Sequence, residues 1–117
     1  MLDIHFKAAF EGILKVTATQ RTFQVMLAIA IIVTLAALFL RFNTTEWLVL
    51  ILVITMVLTA EMFNTSIEFL ADRVNHRKDP TIKLVKDISA AAVLTTALIS
   101  IAVGIILFYS KILILLK

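Results

Sequence analysis

The sequence predicts an all-α membrane protein: an N-terminal amphipathic surface helix followed by three transmembrane helices, in one domain. Three observations carry this expectation. Of 117 residues, 62% are hydrophobic and the mean hydropathy is +1.06, too apolar for a soluble domain of this length. Residues 22–40 and 88–110 run for 19 and 23 residues without a charge, each enough to cross a hydrocarbon core of about 30 Å. The Lys and Arg residues cluster unevenly around these stretches, as they do in multi-pass membrane proteins.

Taken in order, residues 1–20 form the surface helix. Phe6, Ala9, Phe10, Ile13, Leu14 and Val16 share one helical sector, and Lys7, Glu11 and Lys15 recur at i, i+4, i+8 on the other side, the pattern of a helix lying on a membrane. Gly12 on the polar side would permit close approach of another element. The opening MLDIHFKAAFEG lacks the basic, apolar, small-residue order of a cleaved signal, so the N-terminus is expected to be retained. The first span is 22–40. The second, 47–67, has only 14 uncharged residues before Glu61 and therefore carries a carboxylate near its inner end. The polar stretch RVNHRKDPTIK, with the single proline Pro80, is expected to turn the chain into the third span, 88–110.

Orientation follows from the basic residues. Lys7, Lys15, Arg21, Arg73, Arg77, Lys78, Lys83 and Lys86 fall on one side, and Arg41, Lys111 and Lys117 on the other. This bias of eight to three puts the N-terminus in the cytoplasm and the C-terminus outside. Trp47 and Tyr109 would then both lie at the outer interface. Several function classes drop out. Cysteine is absent and histidine occurs twice, leaving no zinc or disulfide framework. The basic residues lie at membrane edges and form no face with stacking aromatics, so nucleic acid is not an expected partner.

The second span ends in AEMFNTSIEFLADRV, where Glu61, Asn64, Glu68 and Asp72 fall within roughly 80° of one helix face. Met62, Phe63, Phe69 and Leu70 lie opposite. Carboxylates beside lipid are costly unless they pair with bases, bind a cation or move protons. At the start of the third helix Lys83, Lys86, Asp87, Ala90 and Ala91 follow helical spacing along one side. A plain Asp72–Lys86 ion pair would explain part of the pattern as a helix lock. It leaves Glu61, Asn64 and Glu68 unexplained, and an excess of acids near a lysine suits magnesium and a nucleotide's phosphates. Neither GxxxxGK[ST] nor GxGxxG occurs, so both familiar phosphate cradles are absent.

The segments EMFNTSIEFLADRV and KLVKDISAAAVL resemble the small bacterial membrane lipid kinases, the diacylglycerol kinase and undecaprenol kinase family. The shared pattern is E-x-x-N-[ST]-x-I-E-x-x-x-D followed by K-D and a small-residue run, within a three-span layout covering nearly the whole chain. The resemblance implies a homotrimer that uses ATP and magnesium to phosphorylate a lipid hydroxyl at the cytoplasmic face. By position it implies Glu61 as the general base at the lipid hydroxyl, Glu68 as a metal ligand and Asn64 as a positioning group near the phosphates. It further implies Lys86 as the cation on the transferring phosphoryl, Asp72 and Asp87 as acids orienting the lysine or holding nucleotide, and Ala90 and Ala91 as small residues giving access to substrate. In TQRTF the chain has Gln20 where the family carries a second metal-binding glutamate, which makes Gln20 a weaker ligand. The same TQRTF segment and EWLVL resemble undecaprenol-type members more than diacylglycerol-type ones. A small transporter or scaffold is the alternative, and it would place ionisable groups near the midplane instead of at one end.

Overall fold

The computed structural model describes residues 1–74 and 79–117; the orienting bases Arg77 and Lys78 lie outside the described residues. The described residues form four helices: α1, Leu2–Thr19; α2, Arg21–Phe39; α3, Thr44–Val74; and α4, Pro80–Leu116. There is no strand among the described residues. The last three helices are long and apolar enough to cross a membrane, which agrees with the expected fold class.

Each break has a local cause. Between α1 and α2 only Gln20 leaves the helix, with φ −103° and ψ 110°. Its N–H donates to the Val16 carbonyl and its carbonyl accepts from Gln24 N–H, both at 3.0 Å, while Gln24 Nε2 donates to the Thr17 carbonyl, also at 3.0 Å. The bend is thus bonded from both sides. α2 ends in a Schellman turn with a non-glycine residue at its left-handed position. Arg41 has φ 57°, its N–H donates to the Leu38 carbonyl, and Phe42 N–H donates to the Ala37 carbonyl. α3 opens with a capping box in which Glu46 N–H donates to Asn43 Oδ1 (2.9 Å) and Asn43 N–H donates to Glu46 Oε1 (2.8 Å). Two opposed caps therefore make the α2–α3 connection very short.

α4 starts earlier than hydropathy suggests. Asp79 caps it by accepting from Thr81 and Ile82 N–H groups (2.8 and 3.3 Å), and Pro80 is not mid-turn but a first-turn residue of the helix, where its missing N–H costs nothing. Residues 80–87 thus project about 12 Å beyond the apolar stretch, carrying Lys83, Lys86 and Asp87.

α3 packs chiefly on α4 and less on α2, and α1 rests on α2. The buried cluster is Ala37, Phe42 and Leu50, with Trp47 and Phe108 packed against it. Phe42 meets Trp47 edge-on at 5.9 Å and Phe108 tilted at 5.0 Å. Beside it Lys111 Nζ donates to Glu46 Oε1 at 3.0 Å, with both side chains largely buried. Trp47 is therefore built into this cluster, whereas Tyr109 is exposed. Among the described residues no large side chain is fully buried, and isoleucines and leucines stand exposed along all three long helices, as expected for faces that meet lipid or other chains. A Cβ added at Gly12 would meet nothing within 4 Å, so among the described residues no element makes the close approach that Gly12 would allow.

Candidate functional site

The site lies where α3 leaves its apolar stretch and meets the projecting start of α4. The α3 face that packs inward carries Glu61, Asn64, Thr65 and Ala71, all buried. Glu61 is only 4% exposed, and Thr65, one turn on, interacts with its carboxylate. Asn64 Nδ2 donates to Glu68 Oε1 at 3.4 Å. Asn64 Oδ1 is buried and has no hydrogen-bond partner. From α4, Lys86 Nζ donates to Asp72 Oδ1, and that pair draws a cation toward the Glu68 end of the stripe. The ion pair expected as a bare lock is present, and it delivers Lys86 to a row of acids.

Not every residue implied by the resemblance converges. Asp87 is paired along its own helix with Lys83 at 2.6 Å, both side chains being more than half exposed. Ala90 and Ala91 are exposed, whereas Ser89 is buried and lines, with Ala92, the groove between α3 and α4. Gln20 stands at the α1–α2 bend with its Nε2 donating to the Thr19 hydroxyl at 3.2 Å, a local contact. Thr65 and Ser89 escaped the sequence reading. Their signal was present, since Thr65 follows Glu61 by four residues and Ser89 follows Lys86 by three, the spacings of one helix face.

Membership is decided over nearly the whole chain, because the family model described as prokaryotic diacylglycerol kinase matches residues 7–108. The chain belongs to the prokaryotic diacylglycerol kinase family. Among relatives, it is 32% identical over 106 residues to the undecaprenol kinase of Bacillus subtilis (strain 168), covering 91% of this chain and 86% of the relative. It is also 32% identical over 104 residues to the diacylglycerol kinase of Synechocystis sp., covering 88% of this chain and 59% of that longer relative. This member of the family is accordingly an enzyme, a lipid kinase with membrane-spanning helices and ATP as co-substrate.

The donor set can be tested against magnesium. Among the described residues no three Asp, Glu or His side chains gather as a cluster able to hold a metal. Magnesium needs fewer, because it is commonly held by one or two carboxylates with phosphates and waters as its other ligands. Glu68 is exposed on the same face as buried Glu61 and keeps carboxylate capacity beyond the one bond from Asn64. The residues present fit a cation that arrives with a nucleotide.

Proposed function

We propose that this chain transfers the γ-phosphoryl group of ATP to the hydroxyl of a membrane lipid at the cytoplasmic face, with undecaprenol preferred over diacylglycerol. The observation that carries this reading is the juxtaposition at one helix end of a buried carboxylate, Glu61, with Glu68 and with Lys86 held across the seam by Asp72.

Glu61 takes the proton of the lipid hydroxyl as its oxygen bonds to the γ-phosphorus and ADP leaves. Burial among α3 and α4 side chains keeps water away from that proton. Glu68, with the Gln20 amide as a weaker second ligand, would hold magnesium, which when bound would neutralise charge on the phosphates. Lys86 offsets the negative charge on the phosphoryl oxygens, and Asp72 holds its ammonium in place. Asn64, by donating to Glu68, fixes the direction of that carboxylate near the phosphates. Asp87, paired with Lys83 on the exposed start of α4, would help hold nucleotide there, and Ala90 and Ala91 leave that side of α4 unobstructed for substrate.

The molecule is further read as a homotrimer, with its N-terminus cytoplasmic and its C-terminus outside. Supporting this are the eight-to-three bias of basic residues and the long apolar faces that one chain leaves uncovered. The preference for undecaprenol is supported by the fuller coverage of the relative of that name. The kinase family match displaces the transporter or scaffold alternative. The test is transfer of labelled γ-phosphate from ATP to lipid by purified protein in mixed micelles, with both lipids offered in parallel and magnesium present. Undecaprenol phosphate as the main product is expected; diacylglycerol phosphate would correct the acceptor, and no labelled lipid would overturn the reading.

A further inference from the structure

An apolar groove of about 520 Å³ lies among α2, α3 and α4, on the Glu46 side of the site described above. Its α3 wall runs from Leu50 to Leu58 and its α4 wall from Ala97 to Phe108. It exists because α3 packs closely on α4 and only loosely on α2, which leaves a cleft along the apolar stretch. Over its Glu46 end stand the rings of Phe42 and Phe108, 5.0 Å apart. Ser100 is the one hydroxyl among the described lining residues, and it donates to the Thr96 carbonyl at 2.6 Å. The walls thus offer nothing to an alcohol, a carbonyl or a headgroup. A cleft so apolar stays dry, and left empty its walls forfeit their dispersion contacts. Hydrocarbon is the chemistry that fills it.

Size and charge say whose hydrocarbon it is. Leu50 and Leu58 are about 12 Å apart along α3, so the volume of about 520 Å³ amounts to a mean cross-section of about 40 Å². A helix with its side chains is about 10–12 Å across and needs about 80 Å² or more, too much for this cleft, whereas a single extended chain is narrow enough. Gly104 lies in the α4 wall, where a Cβ would meet nothing within 4 Å. Glycine weakens a helix interior, and among the described residues no neighbouring element calls for it; its effect is to deepen the cleft. On the Glu46 side three cations, Arg41, Lys111 and Lys117, stand against one carboxylate, Glu46, which Lys111 already occupies. Arg41 is exposed and makes no side-chain hydrogen bond or ion pair among the described residues. We infer that the α2–α3–α4 groove binds an anionic phospholipid of the leaflet opposite the Glu61 end. One acyl chain passes between α2 and α4 into the groove beneath Phe42 and Phe108, and the phosphate lies against Arg41. This site is separate from phosphoryl transfer and does not rest on that reading.

The probe is phosphatidylglycerol with a diazirine near the end of one acyl chain, compared with the matching phosphatidylcholine. Each is added at trace level to nanodiscs of unlabelled phosphatidylcholine that hold the intact protein, and labelled residues are located by mass spectrometry. Label is expected on 26–33, 50–58 and 97–108, about fivefold stronger from phosphatidylglycerol, the factor that one cation near a membrane surface contributes. Arg41→Gln should remove that preference and keep the weaker label in place. Gly104→Leu, which fills the groove, should remove the label from both lipids with helix content and particle size unchanged. If Gly104→Leu does not fold, Ala30→Leu on the α2 wall is the second occluding variant, and the wild-type label decides without either. Absence of label from the groove, equal label from the two lipids, or a preference that survives Arg41→Gln overturns the inference. A change of particle size in Gly104→Leu, with the wild-type groove unlabelled, gives the groove to a second copy of the chain. Loss of phospholipid label on adding unlabelled polyprenol gives it to that lipid's chain. Either result overturns the inference as well.

Discussion

The two ends of the α3–α4 pair are built to opposite rules. At the Glu46 end, Glu46 is bonded to the Asn43 N–H and to Lys111, whose side chains are 17% and 15% exposed for Glu46 and Lys111 respectively, and Phe42 closes over Ala37 and Leu50. At the Glu61 end, Glu61 and Asn64 are buried, one Asn64 atom has no partner, and the bridging pair is looser, with Lys86 38% and Asp72 54% exposed. The first end spends its polar groups on holding the helices together. The second leaves polar capacity unused in a place where that destabilises, which is what a binding site requires of its resting state.

The largest test of this division is Glu61→Gln. Turnover should fall by about 10² to 10⁴-fold, the range for loss of a general base, with helix content and particle size unchanged; retained turnover would remove Glu61 as the base. Next comes a pair of lysine substitutions. Lys86→Ala should lower kcat about 10²-fold and move the thermal midpoint little, because its ion pair is half exposed. Lys111→Ala should instead lower the midpoint by about 5 °C and leave kcat at low temperature intact. If the two effects exchange places, the ends do not differ in the way described. A smaller effect is expected for Gln20→Glu: the half-saturating magnesium concentration should fall about threefold as a carboxylate replaces an amide, and an unchanged requirement would place Gln20 away from the metal. Smallest is Arg41→Gly, which removes a side chain from the left-handed position and should raise stability by about 1 kcal/mol, read as an upward shift of the midpoint.

Fold class was legible because hydropathy over about twenty residues is a strong signal and the membrane forces helices on such stretches. Helix ends were less so. Hydropathy marks where lipid begins, whereas hydrogen bonding decides where a helix begins, and Asp79 with Pro80 starts α4 eight residues before the apolar stretch at 88. The α2–α3 turn lacks the glycine that usually announces a Schellman motif, so Arg41 concealed it. In the site, the Glu61–Asn64–Glu68 row was readable from one helix's periodicity. Which α4 residues face α3 was not, since that depends on the rotation of one helix against another; Ser89 turns inward where Ala90 and Ala91 do not. The Lys111–Glu46 pair joins residues 65 apart in the chain, beyond the reach of any local pattern.

The short, doubly capped connection at Arg41 and Asn43 has a mechanical consequence. With one end of α3 gripped by α2, Phe108 and Lys111, sliding of the helix along its axis is resisted, and the freedom that remains is angular. Glu61 lies about 22 Å along the helix from Glu46, so a tilt of about 5° about the gripped end swings the Glu61 carboxylate by about 2 Å. The Glu61 end is itself tied by the five-residue connection between Val74 and Pro80 and by the Lys86–Asp72 pair, so the geometry allows small tilts of α3 and no wide parting of the two helices.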